Sequence, residues 1–158
     1  MRDLAIRTFT VFDLDLASTI HRSTFDPMGE RGWTRQDIAE LVAAPGVIGL
    51  FVESAREKIG FALGRVAGNE AEILTIVVNA DHRRRGAGRS LLEAMIDRMR
   101  AAGAITLYLD VGADNPAARA LYERIGFVVA GHRAGYYRRG EAAAADAIVM
   151  RLTLKPVE

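Results

Sequence analysis

The 158-residue chain has no cysteine, four prolines, one tryptophan and almost no net charge. Each scarcity removes a class of function. Without cysteine there is no disulfide, no thiolate metal ligand and no cysteine nucleophile. A formal net charge of +1 argues against a polycation built for nucleic acid, so any electrostatic bias is local. No uninterrupted apolar run approaches the roughly 18 residues that a membrane-spanning helix needs. The opening stretch "MRDLAIRTFTVFDLDL" places acids where a signal peptide requires a continuous apolar segment. The expectation is a soluble, cytoplasmic protein without a leader. Half of the residues are hydrophobic and 26% are charged, the balance of a globular chain. The length suits one domain, 1–158, with a core that needs no covalent staple.

Periodicity then orders the elements. Leu4–Val11 reads as a strand, Asp13–Ser23 as a helix with Asp13 as its cap, and Arg35–Ala43 as a second helix capped by Thr34. "VIGLFVES" and "KIGFALGRV" are strand-like, joined through "AREK", and "EILTIVV" is a third, β-branched run. After the glycines at 86 and 88, Leu91, Leu92, Met95, Ile96 and Met99 form one apolar stripe, with Arg89, Glu93, Asp97 and Arg100 opposite. "AITLYLDV" is a strand with Ile105, Leu107, Leu109 and Val111 on one side and Thr106, Tyr108 and Asp110 on the other. Asn115-Pro116 opens a helix that stops at Gly126. "FVVAG" and "AIVMRLTL" close the series as two strands. The order is strand, two helices, three strands, helix, strand, helix, two strands. That is a mixed α/β sheet with helices over it.

The stretch "HRRRGAGRS" carries the chemistry. It lies between a β-branched strand and an amphipathic helix. Free N–H groups and the positive dipole end at a helix start attract phosphate. Gly86 and Gly88 allow close backbone approach, and Arg83, Arg84, Arg85 and Arg89 can add charge-assisted hydrogen bonds. The turn lacks the Gly-Lys-Ser/Thr of a nucleoside-triphosphate loop. Leu91 stands where a dinucleotide fingerprint needs its third glycine. A solvated basic loop and a nucleic-acid patch are the competing readings, the second weakened by the absence of interleaved aromatics.

"ILTIVV", "RRRGAG" and "DNPAARALYERIGF" together resemble the GNAT superfamily of N-acetyltransferases. "GHRAGYY" and "ADAIVMRL" extend the likeness over roughly residues 47–154. "RGWTRQDIAEL" is similar to the tryptophan-containing segment of the ribosomal-protein-alanine N-acetyltransferases. The resemblance implies a mostly antiparallel central sheet with flanking helices and acetyl-CoA as cosubstrate. It assigns the pyrophosphate to the turn, including Gly86, Ala87 and Gly88. Main-chain groups of Ile76, Val77 and Val78 would meet the pantetheine arm and the acetyl carbonyl, where N–H donors stabilise a developing oxyanion.

The same resemblance makes Asn115 a pantetheine contact, Tyr122 the acid that protonates the departing sulfur, and Asp110 the base. The family usually has Glu at the last position. Aspartate is one methylene shorter, which favours a bridging water, and Glu72 is the alternative base. At pH 7 an α-amine is about 10% neutral and a lysine amine roughly 0.04%, so an N-terminal acceptor asks little of its base. One of Tyr136 and Tyr137 is expected at the acceptor groove, with Trp33 in the core or groove wall. His82 is a solvent-exposed residue or a proton relay. His21 and His132 lack ligand spacing and carboxylate partners, and no metal is expected. The expected acceptor is a protein N-terminus or a small amine, with neither nucleic acid nor membrane as partner. The remaining alternative is a CoA-binding regulatory module, and the expected assembly is a monomer or homodimer.

Overall fold

Among the described residues, seven strands form one sheet: β1 (Leu4–Thr8), β2 (Val47–Ser54), β3 (Glu57–Ala67), β4 (Glu70–Val78), β5 (Thr106–Gly112), β6 (Val128–Arg139) and β7 (Ala142–Thr153). Their spatial order is β1-β2-β3-β4-β5-β7-β6. Four α-helices accompany them among these residues: α1 (Leu14–Phe25), α2 (Arg35–Ala43), α3 (Ala87–Ala101) and α4 (Pro116–Ile125). The computed structural model describes residues 3–83, 86–139 and 142–156, with the side chains of 138, 139 and 142–144 left aside. The element order follows the periodicity of the sequence. Among the described residues no helix is long and apolar enough to cross a membrane.

Helices cover both faces of the sheet. Leu91, Leu92, Met95 and Met99 of α3 pack with Leu50, Val52, Ala62, Leu107, Leu109 and Val111. Leu14, Ala17 and Ile20 of α1 and Ile38 of α2 pack on Phe51, Phe61, Leu63 and Val77. Each of these side chains larger than alanine contributes about 1.5–3 kcal/mol when fully withdrawn from water. Because β2 and β3 are covered twice, they read as continuous apolar runs and not as alternating ones.

Several local expectations need correction. β1 stops at Thr8, and the chain turns through a single 3₁₀ turn at Val11–Asp13. Asp13 stands at the N-cap of α1, as expected, but its side chain makes no capping hydrogen bond to that helix. Its buried carboxylate accepts from Thr10 N at 2.8 Å, Thr10 Oγ1 at 3.2 Å and the Lys58 ammonium, tying this turn to β3. Burial pushes that carboxyl up, but the bonds from Lys58 and Thr10 outweigh it and hold it below the usual range. Thr34 caps α2 as expected, accepting from Asp37 N at 3.1 Å while Asp37 accepts from Thr34 N at 2.9 Å. Ala55 and Arg56 form a two-residue hairpin with positive φ at both, and no glycine. Ile105 precedes β5 and is exposed. β6 and β7 extend well beyond "FVVAG" and "AIVMRLTL", through a hairpin arm broken by three register shifts.

One join in the sheet is incomplete. β4 and β5 form the only parallel pair among the described strands, and they pair only at Glu70↔Thr106, Ala71↔Leu107 and Glu72↔Tyr108. Beyond that point β4 stays on β3 as far as Val78↔Gly60, while β5 stays on β7 as far as Gly112↔Ala147. The register of β4 slips at Leu74, because Leu63 faces Thr75 while Gly64 faces Ile73. This bulge sits where the two strands part. Gly60 lets β4 lie close on the other side: a Cβ there would be 2.6 Å from Val77 O and 3.0 Å from Val78 Cα. Gly60→Ala is therefore expected to lower unfolding stability by about 1–3 kcal/mol. Urea unfolding measures this, and an unchanged midpoint would contradict the tight β3–β4 approach.

Candidate active site

The turn after β4 delivers its glycines to the start of α3. Gly86 takes φ +83°, a conformation that costs a side-chain-bearing residue, and acts as N-cap. No side chain caps this helix and its first turn holds no acid. A Cβ on Gly86 would meet nothing within 4 Å, and one on Gly88 would come no nearer than 3.9 Å to Val78 Cγ2. Among the described residues, then, the first-turn amides have no side-chain cap and neither glycine is crowded, the arrangement that suits a phosphate. Ala87 is buried and offers main chain alone. The arginines divide. Arg83 donates to Val78 O at 3.1 Å and Thr24 Oγ1 at 3.4 Å, bridging β4 to α1. Arg89 pairs with Glu93 at 3.4 Å. Arg84 and Arg85 lie outside the described residues.

Along β4, hydrogen-bond direction alternates. Asn79 N donates to Ile59 O at 2.8 Å. In an antiparallel ladder Val77 then also bonds toward β3, and Ile76 and Val78 turn their main-chain groups to the open side. Ile76 and Val78 thus turn main-chain groups to the gap, whereas Val77 does not. Its main chain serves β3 and its side chain is in the α1-side core. Val78 O is already occupied by Arg83, which leaves Ile76 as the open position nearest the centre of the gap.

The gap between β4 and β5 opens into a cavity of about 280 Å³. Thr75 and Ile76 form one wall and Asp110, Val111 and Gly112 another, with Asn115, Ala118 and Tyr122 of α4 at one end. His21, Phe25, Trp33 and Tyr137 close the other end. Asn115 caps α4, its Oδ1 accepting from Ala118 N at 3.2 Å, so its amide nitrogen is the part it can offer a ligand. Burial raises the phenol pKa of Tyr122 above its usual value, which keeps the proton on the oxygen at neutral pH. Its ring lies 5.9 Å from that of Phe127. The structure thus brings Asp110, Asn115 and Tyr122 into one space. Glu72 is outside it, half-exposed and paired with Arg65 at 3.7 Å.

Residues 11–127 match the acetyltransferase (GNAT) family. The chain belongs to that family. Its relatives include a [ribosomal protein bS18]-alanine N-acetyltransferase of Salmonella typhimurium, 45% identical over 94 residues, which are 60% of this chain. The match spans 63% of that relative's length, a little under two thirds. An N-alpha-acetyltransferase of Mycobacterium tuberculosis is 35% identical over 128 residues, covering 78% of this chain and 77% of the relative. The crystal structure of the ribosomal-protein-S18-alanine N-acetyltransferase from Escherichia coli superposes with TM-score 0.86 at 31% identity, covering 99% and 97% of the two chains. The mixed, mostly antiparallel sheet with flanking helices is therefore the GNAT fold.

The histidines of this GNAT chain differ from their sequence expectation. His21 is 4% exposed, accepts from Trp33 N at 2.9 Å through Nδ1, and stacks on the Trp33 ring at 4.3 Å and 9°. Together with Ser18 Oγ, which donates to Trp33 O at 2.8 Å, it fastens the loop before α2 to α1 at the mouth of the cavity. The signal was available: Leu14, Ala17, Ser18 and His21 share the buried face of one helix. His82 is partly buried, its Nδ1 without a partner among the described residues and its Nε2 3.8 Å from Glu57. His132 does have a carboxylate neighbour, Asp146 at 3.2 Å.

Desolvation lowers the pKa of His21 to about 4, against partial opposition from Asp26 and Asp37. The unfolded chain therefore binds the extra proton between about pH 6.5 and 4, and stability falls as pH falls through that window. Protonation also removes the acceptor that Trp33 N uses. This site is expected to cost about 2 kcal/mol on going from pH 7 to pH 5, and His21→Asn should flatten that part of the profile. Urea unfolding of both proteins at the two pH values is the check, and equal pH dependence would contradict the assignment.

Proposed function

We propose that the chain is an acetyl-CoA-dependent N-acetyltransferase whose acceptor is the N-terminal α-amine of a protein, by analogy with its relatives a ribosomal one. The observation that carries this reading is the cavity in the β4–β5 gap. It holds both Asp110 and Tyr122 and is walled by the stretch of β4 that runs on to the uncapped start of α3. The 45% identity to an enzyme named for ribosomal-protein alanine acetylation supports the choice of acceptor.

In this reading the first-turn amides of α3 grip the diphosphate, with the basic turn adding charge. The extended arm lies in the gap, against the open edge of β4 and the amide of Asn115. The thioester supplies the acyl group. The main-chain N–H of Ile76 takes up charge developing on the acyl oxygen. Asp110 accepts the proton of the attacking amine, directly or through a water. The amine attacks the acyl carbon without a covalent enzyme intermediate. As the C–S bond breaks, the Tyr122 hydroxyl gives its proton to the sulfur, and the phenolate recovers one from solvent. A phenol near pKa 10 and a thiol near 8.5 are close enough for this exchange, although burial makes the phenol a somewhat weaker acid. An α-amine, about 10% neutral at pH 7, tolerates the short reach of an aspartate.

Mass spectrometry of an N-terminal peptide incubated with enzyme and acetyl-CoA tests the acceptor. Acetylation of its α-amine is expected, and transfer to small amines alone would reject the protein acceptor. Tyr122→Phe is expected to lower kcat by roughly 10²- to 10⁴-fold while coenzyme A affinity is kept. Equally slow transfer by wild type and variant, with coenzyme A still bound, would point instead to a regulatory binding module.

A further inference from the structure

The turn between β1 and α1 holds an aromatic side chain that the fold leaves in water. Phe12 is 92% exposed, and Val11 before it and Leu16 one turn on are exposed as well. The ring belongs to neither core. Scattered apolar residues on a surface are ordinary, whereas a cluster beside an apolar hollow marks a contact. Val11 and Leu14, on either side of Phe12, line a cavity of about 540 Å³ that the Phe12 ring does not fill. Phe9, Val42, Ala43 and Ile48 give it apolar walls. Arg98 of α3 is the one charged side chain lining it among the described residues. We propose that this face binds a second copy of the chain about a two-fold axis, the Phe12 ring of each copy entering the cavity of the other. The contact does not depend on the acetyl-transfer chemistry.

Both halves of the contact are held ready. The Asp13 carboxylate, bound by Thr10 and Lys58, fixes the turn that bears Phe12. Phe9 donates its N–H to Gly49 O at 2.9 Å and stacks on Phe51 with ring centroids 5.3 Å apart, which sets the cavity wall. Little ordering therefore opposes association. Ring and cavity are also neighbours on one surface. Such a patch is self-complementary, so a two-fold axis forms both contacts at once and closes the assembly. A cavity remote from the ring would instead propagate into a filament.

Charge and area agree with this occupant. Asp15 lies one turn beyond Phe12, exposed, in a 3.1 Å ion pair with Arg35 that a second cation can join. As Phe12 enters the cavity, Asp15 comes to the rim where the second copy has Arg98. The two-fold axis makes that pairing twice. A net charge of +1 sets up no general repulsion between copies. An aromatic side chain buries about 150–250 Å². Two rings, with Val11, Leu16 and the walls they meet, bring the contact to on the order of 1,200 Å², the lower end of stable interfaces. A reversible dimer with a Kd on the order of 10 µM is expected. The contact lies by β1 and β2, away from the β4–β5 gap, so each copy keeps its own reaction cavity.

Sedimentation equilibrium of the full chain from about 1 µM to about 1 mM is the test. Wild type is expected to pass from monomer to dimer and no further. Phe12→Ser, at an exposed position, should weaken dimerisation at least about 100-fold, because both copies lose a ring. Ala43→Trp, which fills the cavity, should weaken it similarly with Phe12 intact. An equimolar mixture of the two variants restores one ring in one cavity, and should form heterodimer more readily than either variant dimerises alone. A wild type that stays monomeric throughout would overturn the proposal and leave the face to a different protein. Dimers that survive Phe12→Ser would overturn it too. Dimers lost with Phe12→Ser but kept with Ala43→Trp would show rings packed on each other and not in cavities, which also contradicts it.

Discussion

The site depends on two neighbouring strands that stop pairing in the middle of a sheet. Backbone N–H and C=O groups left open inside a protein cost free energy unless something else satisfies them. Here the cost is imposed from outside the gap. β5 is held to β7 at all seven of its positions, and β4 is held to β3 to its last residue, so neither can swing across. Only three residue pairs join β4 to β5 before the bulge at Leu74 turns them apart. The open edge is a reserve of hydrogen-bonding capacity, which an extended ligand can use.

The remaining parts of the site take their positions from that gap. The end of β4 leads through the glycine turn to the start of α3, whose first turn has no acid and no side-chain cap. Asp110 is on β5 just past the last pairing residue. Tyr122 reaches the same space from α4, whose start is fixed by Asn115. On the opposite face the loop pinned by His21 and Ser18 supplies the far wall. A chain with a net charge of only +1 can therefore attract an anion, because the field that matters is a local one of oriented amides and not a surplus of arginine.

Much of this was legible from residues alone, for definite reasons. The stripe from Leu91 to Met99 has one period and one partner face, so α3 was plain. The Asn115-Pro116 start and the Gly126 stop bounded α4 in the same way. The basic turn announced itself because glycines and arginines rarely fall together between a β-branched run and an amphipathic helix. What stayed hidden depends on contacts distant in the chain. The extent of β6 and β7 was missed because Gly135, with φ +61°, and an alanine-rich return strand interrupt alternation. The Leu74 bulge has no local mark, since its cause is the register between β3 and β4. The Asp13 side chain looked like a cap, yet it was claimed by Lys58 from 45 residues away. His21 looked solitary because its partner, Trp33, is across a loop.

The same limit applies to individual site residues. Ile76, Val77 and Val78 are equivalent in the sequence, and only the hydrogen-bond phase set by Asn79 and Ile59 separates those that face the gap from the one that does not. The central claim, that the opened edge of β4 and the uncapped start of α3 form one binding surface for coenzyme A, can be read at the level of single amides. The most direct measurement is an NMR titration of the ¹⁵N-labelled protein with coenzyme A, following each backbone amide. The account predicts the largest shifts at Gly86 to Arg89 and at Ile76 and Val78, with Val77 much less affected. Saturable binding that leaves these amides unmoved and shifts another region would contradict it.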